Sequence, residues 1–456
     1  MSQPVDSIDL DLSFAPDAAG LIRVRWEADE IGTRESRFAL PYQGDDLALV
    51  LRALDSLQAP ASFGAAEMER LAALGLPVEG GFLSAQAHRA VGRALFAALT
   101  NDPQGATALS TARNMAIDKG APLALGLHFA SGEVALAALP WELLWEPDQL
   151  MPVLIRHGQE SSCTRHIDLA EALPPARPGQ KPLRMLPVIS RANLGEADLA
   201  AEAQARRAAW DTLQQAGDVT MLDEVRATRS GLTDALDLDT PPDIVHIVCH
   251  GHYHDGEGHL LFEGPSGRSD WVPASQLAAQ LQGVRMVVLV ACQSASMGEA
   301  QAGVPGLLTG AAPMISAAGV PLVLAMQLTV RMEAAYRMLQ VFYRNVARGR
   351  SVQASLGRAR HALYKEEGDR ASWYVPVLYV RSRERGPAFM VGGAGAGAAA
   401  PAAPARPSQV MSATGPGSVI RNSSQIRVGG GGDQAMSAAE GGTIEGGHQE
   451  DRGGAG

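Results

Sequence analysis

Hydrophobic positions fall into two patterns along this chain. Near the start they alternate: Ile8, Leu10, Leu12 and Phe14 share one face, Ile22, Val24 and Trp26 repeat the rhythm, and RFALP adds a third stretch. Period-two alternation predicts strands with one wet face. Helical spacing follows, with Leu47, Val50, Leu51 and Leu54 on one stripe, and Val91, Leu95 and Leu99 recurring between Ser84 and Leu99. PLALGLHFA at 122–130 predicts another strand, and LPWELLW turns back beneath it, with Trp141 and Glu142 in structural roles. Charged and proline-rich residues at 171–181 read as a connection.

Beyond that connection the pattern changes to short, continuously apolar runs between helical segments. PLRMLPVIS precedes a helical stretch over 197–216, then come VTMLDEV and a helix around 232–236. DIVHIVCHG, a hairpin-like excursion, a helix near 274–281 and VRMVVLVACQS follow. The uncharged stretch 300–330 contains Pro305, Pro313 and Pro321, so it divides into a core helix over 306–318 and a buried strand over 320–327 rather than a membrane span. Helices over 330–348 and 351–367 and a last strand, WYVPVLYV, complete the series. Strands alternating with helices predict an α/β fold with a mostly parallel sheet covered on both faces.

Two of the apolar runs end in reactive residues. His250 closes one and Cys292 the other, 42 positions apart. Carboxyl ends of parallel strands face a common crevice, so the two side chains can meet there as a thiol nucleophile and its base. Gly251 has no Cβ, and its N–H together with that of Cys292 forms a candidate oxyanion hole. On spacing alone, a buried small thiol and a satisfied strand-end histidine are equally compatible readings.

The surrounding segments VHIVCHGHYHDGEGHLLFEG, VVLVACQSA and GLLTGAAPMISAAGVPLVLAMQ, with LPWELLWEP and PLRMLPVIS upstream, resemble the CHAT domain, a caspase-like protease family of the caspase, gingipain and separase group. The resemblance covers most of residues 1–383. It implies a caspase-like sheet, a catalytic His250–Cys292 dyad, and a cysteine endopeptidase acting on a protein, as a regulated effector in bacterial defence or programmed cell death. A gasdermin-like pore former or another neighbouring gene product is the implied substrate class. Gln293 stands where many relatives carry Glu, which makes it a substrate-pocket candidate beside His252.

The implied organisation is an N-terminal lobe at 1–178, a pseudo-caspase-like half; a protease lobe at 179–385; and a low-complexity tail at 386–456. A scaffold that assembles through its tail without proteolysis is the alternative. Residues 387–456 hold 17 of the chain's 49 glycines and one aromatic residue, Phe389, a composition that predicts disorder. Within the tail SVIRNSSQIRV and GGTIEGG are β-prone and resemble amyloid-like signalling motifs of immune effectors, so residues 418–447 are a candidate for self-assembly or sensor recruitment.

Composition narrows the partners. A net charge of -11 argues against nucleic acid, and three scattered cysteines argue against a disulfide framework and for a cytoplasmic setting. Five histidines, His246, His250, His252, His254 and His259, lie within 14 residues, yet HExxH, paired CxxC and ligand-spaced carboxylates are missing, so neither a metal nor another cofactor is expected.

Overall fold

The computed structural model describes residues 7–17, 20–58, 61–130, 134–167, 182–192, 196–238, 240–254, 257–264, 267–291, 310–368 and 372–381, and six short strands between 409 and 452. Met1–Gly392 and Gly393–Gly456 are two separate compact units.

The first unit is organised by one sheet. Its strands in chain order are β1 (Ile8–Pro16), β2 (Ile22–Ala28), β3 (Gly32–Phe38), a small separate hairpin of β4 (Val78–Glu79) and β5 (Phe82–Leu83), then β6 (Leu123–Phe129), β7 (Ser162–Ile167), β8 (Leu183–Ile189), β9 (Val219–Met221), β10 (Val225–Arg226) and β11 (Ile244–Val248). A side ribbon of β12 (Gly251–His254), β13 (Glu257–Glu263) and β14 (Ser269–Pro273) precedes β15 (Met286–Val290), β16 (Leu322–Met326) and β17 (Pro376–Val380). The order across the main sheet is β10-β8-β11-β15-β16-β17-β7-β6-β1-β2-β3, with β9 also on β8.

From β8 to β16 the pairs are parallel, and β17 returns antiparallel. β17 then pairs parallel with β7, so one continuous sheet runs through residues from both sides of the 168–181 stretch. β6, β7 and β1 are parallel, while β1, β2 and β3 form an antiparallel meander.

Burial follows from these neighbours. All five residues of β11, β15, β16 and β17 are buried, and since successive side chains point to opposite faces, both faces must be covered. Helices Glu196–Gln215, Met332–Ala347 and Val352–Glu367 pack in series, and Arg229–Leu236, Ala274–Gln280 and Ala311–Ala317 form a second set. β2 alternates buried and exposed residues, as a strand with one wet face must. The uncharged stretch resolves, where described, into the helix Ala311–Ala317 and β16; its residues 301–309 lie outside the described residues. Pro313 sits in the first turn of that helix, where its missing N–H costs no bond. Among the described residues no helix is long and apolar enough to cross a membrane.

Near the β17–β7 joint lies a buried ionic cluster. Arg165 on β7 donates to Glu142 at 2.8 Å and to Gln327 at 3.0 Å, with both charged side chains at most 1% exposed. Gln327 in turn donates to Tyr374 O at 2.6 Å, and Arg360 to Pro376 O at 2.7 Å. Burial alone would lower the Arg165 pKa, yet the Glu142 charge raises it overall, so the guanidinium stays charged. LPWELLW supplies Glu142, and its turn is seated by Gly92: a Cβ there would fall 2.1 Å from Leu143 O. Trp141 donates its indole N–H to Leu136 O at 2.8 Å, in keeping with the structural role expected of this segment.

Candidate active site

The site is built where β11 and β15 end. Their register sets Ile244 opposite Met286 and Val248 opposite Val290, a constant separation of 42 positions, which is also the separation of His250 from Cys292. The ladder continues one step beyond, with Cys249 N–H donating to Val290 O at 3.3 Å. Two runs of β-branched and aliphatic residues, IVHIV and MVVLV, make the pair rigid, because every side chain in them is buried.

After Cys249 the chain leaves the sheet. His250 is half-buried, and its carbonyl accepts from Leu261 N–H at 2.9 Å, which ties it to β13. Gly251 opens β12 opposite Leu260, and His252 lies opposite His259. The His252 side chain is exposed and its ring lies 5.8 Å from that of Trp271 on β14. Thus His250, Gly251 and His252 line the start of one ribbon. Cys292 and Gln293 lie outside the described residues, which resume at Gly310 after Ala291.

The ribbon is anchored to the helix that follows that stretch. A Cβ on Gly258 would sit 2.5 Å from Ala311 N and 3.1 Å from Gly310 C, so only glycine lets β13 approach the helix Ala311–Ala317 this closely. Glu257 accepts from Ser275 N–H at 2.6 Å, fixing the ribbon to a second helix.

Of the clustered histidines, His246 belongs to the core while His252 and His259 face each other across the ribbon. His246, in the middle of β11, is fully buried, shares a hydrogen bond of 2.8 Å with the Tyr343 hydroxyl, and meets the Trp210 ring edge-on. Burial, helped by the Arg206 charge, pushes its pKa down to about 3, so it is a neutral core residue. His259 approaches Glu257 O at 3.1 Å through Nδ1. Among the described residues no group of three or more His, Cys, Asp or Glu is placed to hold a metal ion.

Sequence reasoning missed the residues beside β8, the other neighbour of β11. Ser190 N–H donates to Val248 O at 2.8 Å, which brings the carboxyl end of β8 level with that of β11. A cavity of about 230 Å³ opens there, lined by Ile189, Arg191, Ala200, Glu202, Ala203 and Arg206. Its charges are mutually paired: Arg206 bonds Glu202 at 2.8 Å and also Glu224, and Arg191 reaches Glu224 at 3.4 Å. The polar SR that ends the run PLRMLPVIS was the available signal.

The family follows from the chain as a whole: a model of the CHAT domain matches residues 89–405. This chain belongs to the CHAT domain family. Within this CHAT domain the sheet has a parallel centre and an antiparallel last strand. Among solved structures it is similar to separase in the Saccharomyces cerevisiae separase–securin complex, at 11% identity and a TM-score of 0.46, over 82% of this chain and 30% of that one. It is also similar to the Arg-specific cysteine proteinase gingipain R, at 12% identity and a TM-score of 0.35, over 86% of this chain and 80% of that one. The chain therefore spans less than a third of the separase chain. No curated protein matches it.

Proposed function

We propose that this CHAT domain is a cysteine endopeptidase that cleaves a protein substrate with a His250–Cys292 dyad. The observation that carries the reading is the β11–β15 register: the 42-residue offset of the paired strands is the offset of the two residues, each two positions past the last registered pair. Residues at matched positions on adjacent strands are about 5 Å apart at Cα, which is reach enough for an imidazole and a thiol.

The chemistry then runs as acyl transfer. His250 takes the Cys292 proton, the thiolate adds to the scissile carbonyl, and the oxyanion is held by the N–H groups of Gly251 and Cys292. Collapse expels the amine, which receives the proton from His250. Water, deprotonated by His250, then adds to the thioester carbonyl, releasing the carboxyl fragment and the restored thiol. Neither step calls for a cofactor. His252 and Gln293, and the cavity beside Arg191, are the candidates for side-chain recognition.

The setting we propose, a regulated effector in bacterial defence or programmed cell death, rests on the family resemblance. Its substrate is to be sought among neighbouring gene products, gasdermin-like pore formers first. Coexpression with each neighbour and mass spectrometry of the fragments tests the activity. Cleavage should fall by on the order of 10³-fold or more in Cys292→Ala and in His250→Ala, with melting temperature unchanged. Cleavage by the Cys292→Ala protein at the parent rate removes the proposal.

A further inference from the structure

The second unit contains one pattern twice. Its strands are β18 (Gln409–Ala413), β19 (Val419–Arg421), β20 (Ser424–Val428), β21 (Gln434–Ala438), β22 (Thr443–Glu445) and β23 (His448–Arg452). β18 pairs with β21, β19 with β22 and β20 with β23, and every pair is parallel. The first three strands thus make one rung, and the last three a second rung on top of it. β18 lies beside β19, and β21 beside β22, so the two rungs turn alike.

Register brings like residues together. Gln409 is opposite Gln434, Met411 opposite Met436, Ser412 opposite Ser437 and Ala413 opposite Ala438. Ile420 is opposite Ile444, and Gln425 opposite Gln449. Two charged positions pair with the opposite charge, Arg421 with Glu445 and Arg427 with Asp451, while Glu450 and Arg452 lie opposite Ile426 and Val428. Parallel in-register ladders gain from stacked identical residues, glutamine above all, and lose where like charges meet.

Two rungs are an unfinished structure. Among the described residues each of these sheets has two strands of three to five residues, so each strand keeps an unpaired edge of N–H and C=O groups. An isolated two-stranded pairing is marginal in water, and stacked repeats generally need three or more units. What the second rung accepts on one edge is already defined by what it accepts on the other, namely the sequence of the first rung.

We propose that residues 409–452 are a stacking element through which copies of this chain add head to tail, the first rung of one copy pairing on the second rung of the next. Only this order keeps the charges alternating. First on second repeats Arg421 against Glu445 and Arg427 against Asp451, whereas second on second sets Glu445 and Asp451 against themselves. A head-to-tail contact between two different surfaces, repeated by stacking rung on rung along one axis, continues as an open filament. The occupant of each end is a second copy of this chain, and the element extends on both sides of residues 418–447, the segment favoured by sequence alone. The assembly does not depend on peptidase activity.

Two single-cysteine variants of the full chain, Met411→Cys and Met436→Cys, test this on a Cys292→Ala background, where the only other cysteines are the buried Cys163 and Cys249. Under mild oxidation the mixture should give a disulfide-linked 411–436 dimer, and neither variant alone should give one. A 411–411 dimer, or an absence of any crosslink at concentrations where the chain sediments as large species, would overturn the register. Sedimentation velocity supplies the control. The parent chain should form species that grow with concentration, and an Ile420→Pro, Ile444→Pro variant should stay monomeric with the first unit's melting temperature unchanged. A parent chain that remains monomeric at every concentration overturns the proposal outright.

Discussion

In the first half of the main sheet β6 and β7 run parallel and set His128 opposite His166, the rings stacked 4.4 Å apart. In the second half β11 and β15 run parallel and stop two residues short of His250 and Cys292. Both halves therefore hold histidines and a cysteine on paired parallel strands, and the difference lies in position along the strand. His128 and His166 are within their strands, buried, and engaged by Asp11 and Thr164. Cys163, in the same strand as His166, is fully buried, and burial pushes its thiol far above the ordinary range. Burial inside a covered strand thus holds Cys163 as a thiol and His246 as a neutral imidazole. The second half repeats the lesson within a single strand, for His246 is core and His250 is half-exposed.

The largest structural break should come from the joint between the halves. Replacing Glu142 by Gln leaves the Arg165 charge buried without its counter-ion, and removing one partner of such a pair costs about 3–5 kcal/mol. Urea unfolding of Glu142→Gln should show a loss of that size, far above that of Glu27→Gln, which breaks the exposed pair Arg25–Glu27. Equal midpoints for the two variants would mean that the cluster is not what couples the halves.

A smaller effect should appear with acid. His246 is neutral in the fold with a pKa of about 3 against 6.5 unfolded, and His157, held to about 4 by burial and then by Arg113 and Arg156, behaves alike. Their contribution is complete above pH 6.5 and is lost as pH falls toward 3, since the unfolded chain then binds protons that the fold excludes. His246 alone should account for on the order of 3 kcal/mol between pH 6.5 and 4. His246→Gln, less stable at neutral pH, should show a flatter decline between pH 6.5 and 4 in thermal melts; an unchanged slope would place the acid sensitivity elsewhere.

The smallest of the three sharpens the comparison at the site itself. Gly258→Ala forces a Cβ against the Ala311 backbone, and overpacking of this kind costs roughly 1–3 kcal/mol. Because the displaced element is the ribbon that carries His250, turnover should drop more than binding. A variant with parent kcat would show that ribbon and helix are independent.

Much of this was legible in residue order. β11 and β15 were visible as unbroken β-branched runs, and the ends of those runs pointed to His250 and Cys292. The helix Pro103–Lys119 was not, because the side it buries, Gly105, Ala108, Leu109, Ala112, Arg113 and Ala116, is mostly too small to register as an apolar stripe. VTMLDEV looked like one strand and is two, β9 and β10, each pairing with β8. In the tail, QVMSA and QAMSA carry too little hydrophobicity to stand out, and only their pairing at a fixed offset reveals them. The cavity by Arg191 depends on Glu202 and Arg206 from the helix that follows β8, and the way that helix folds back over the strand end is not written in any hydrophobic pattern.

The central claim, that an imidazole and a thiol are paired at the ends of β11 and β15, is tested most directly by the rate at which Cys292 is alkylated near pH 6. A thiol paired with His250 carries thiolate well below the ordinary thiol range, so intact-mass kinetics with iodoacetamide should show rapid single labelling at Cys292 that slows at least tenfold in His250→Ala. Equal rates in the two proteins would contradict the account.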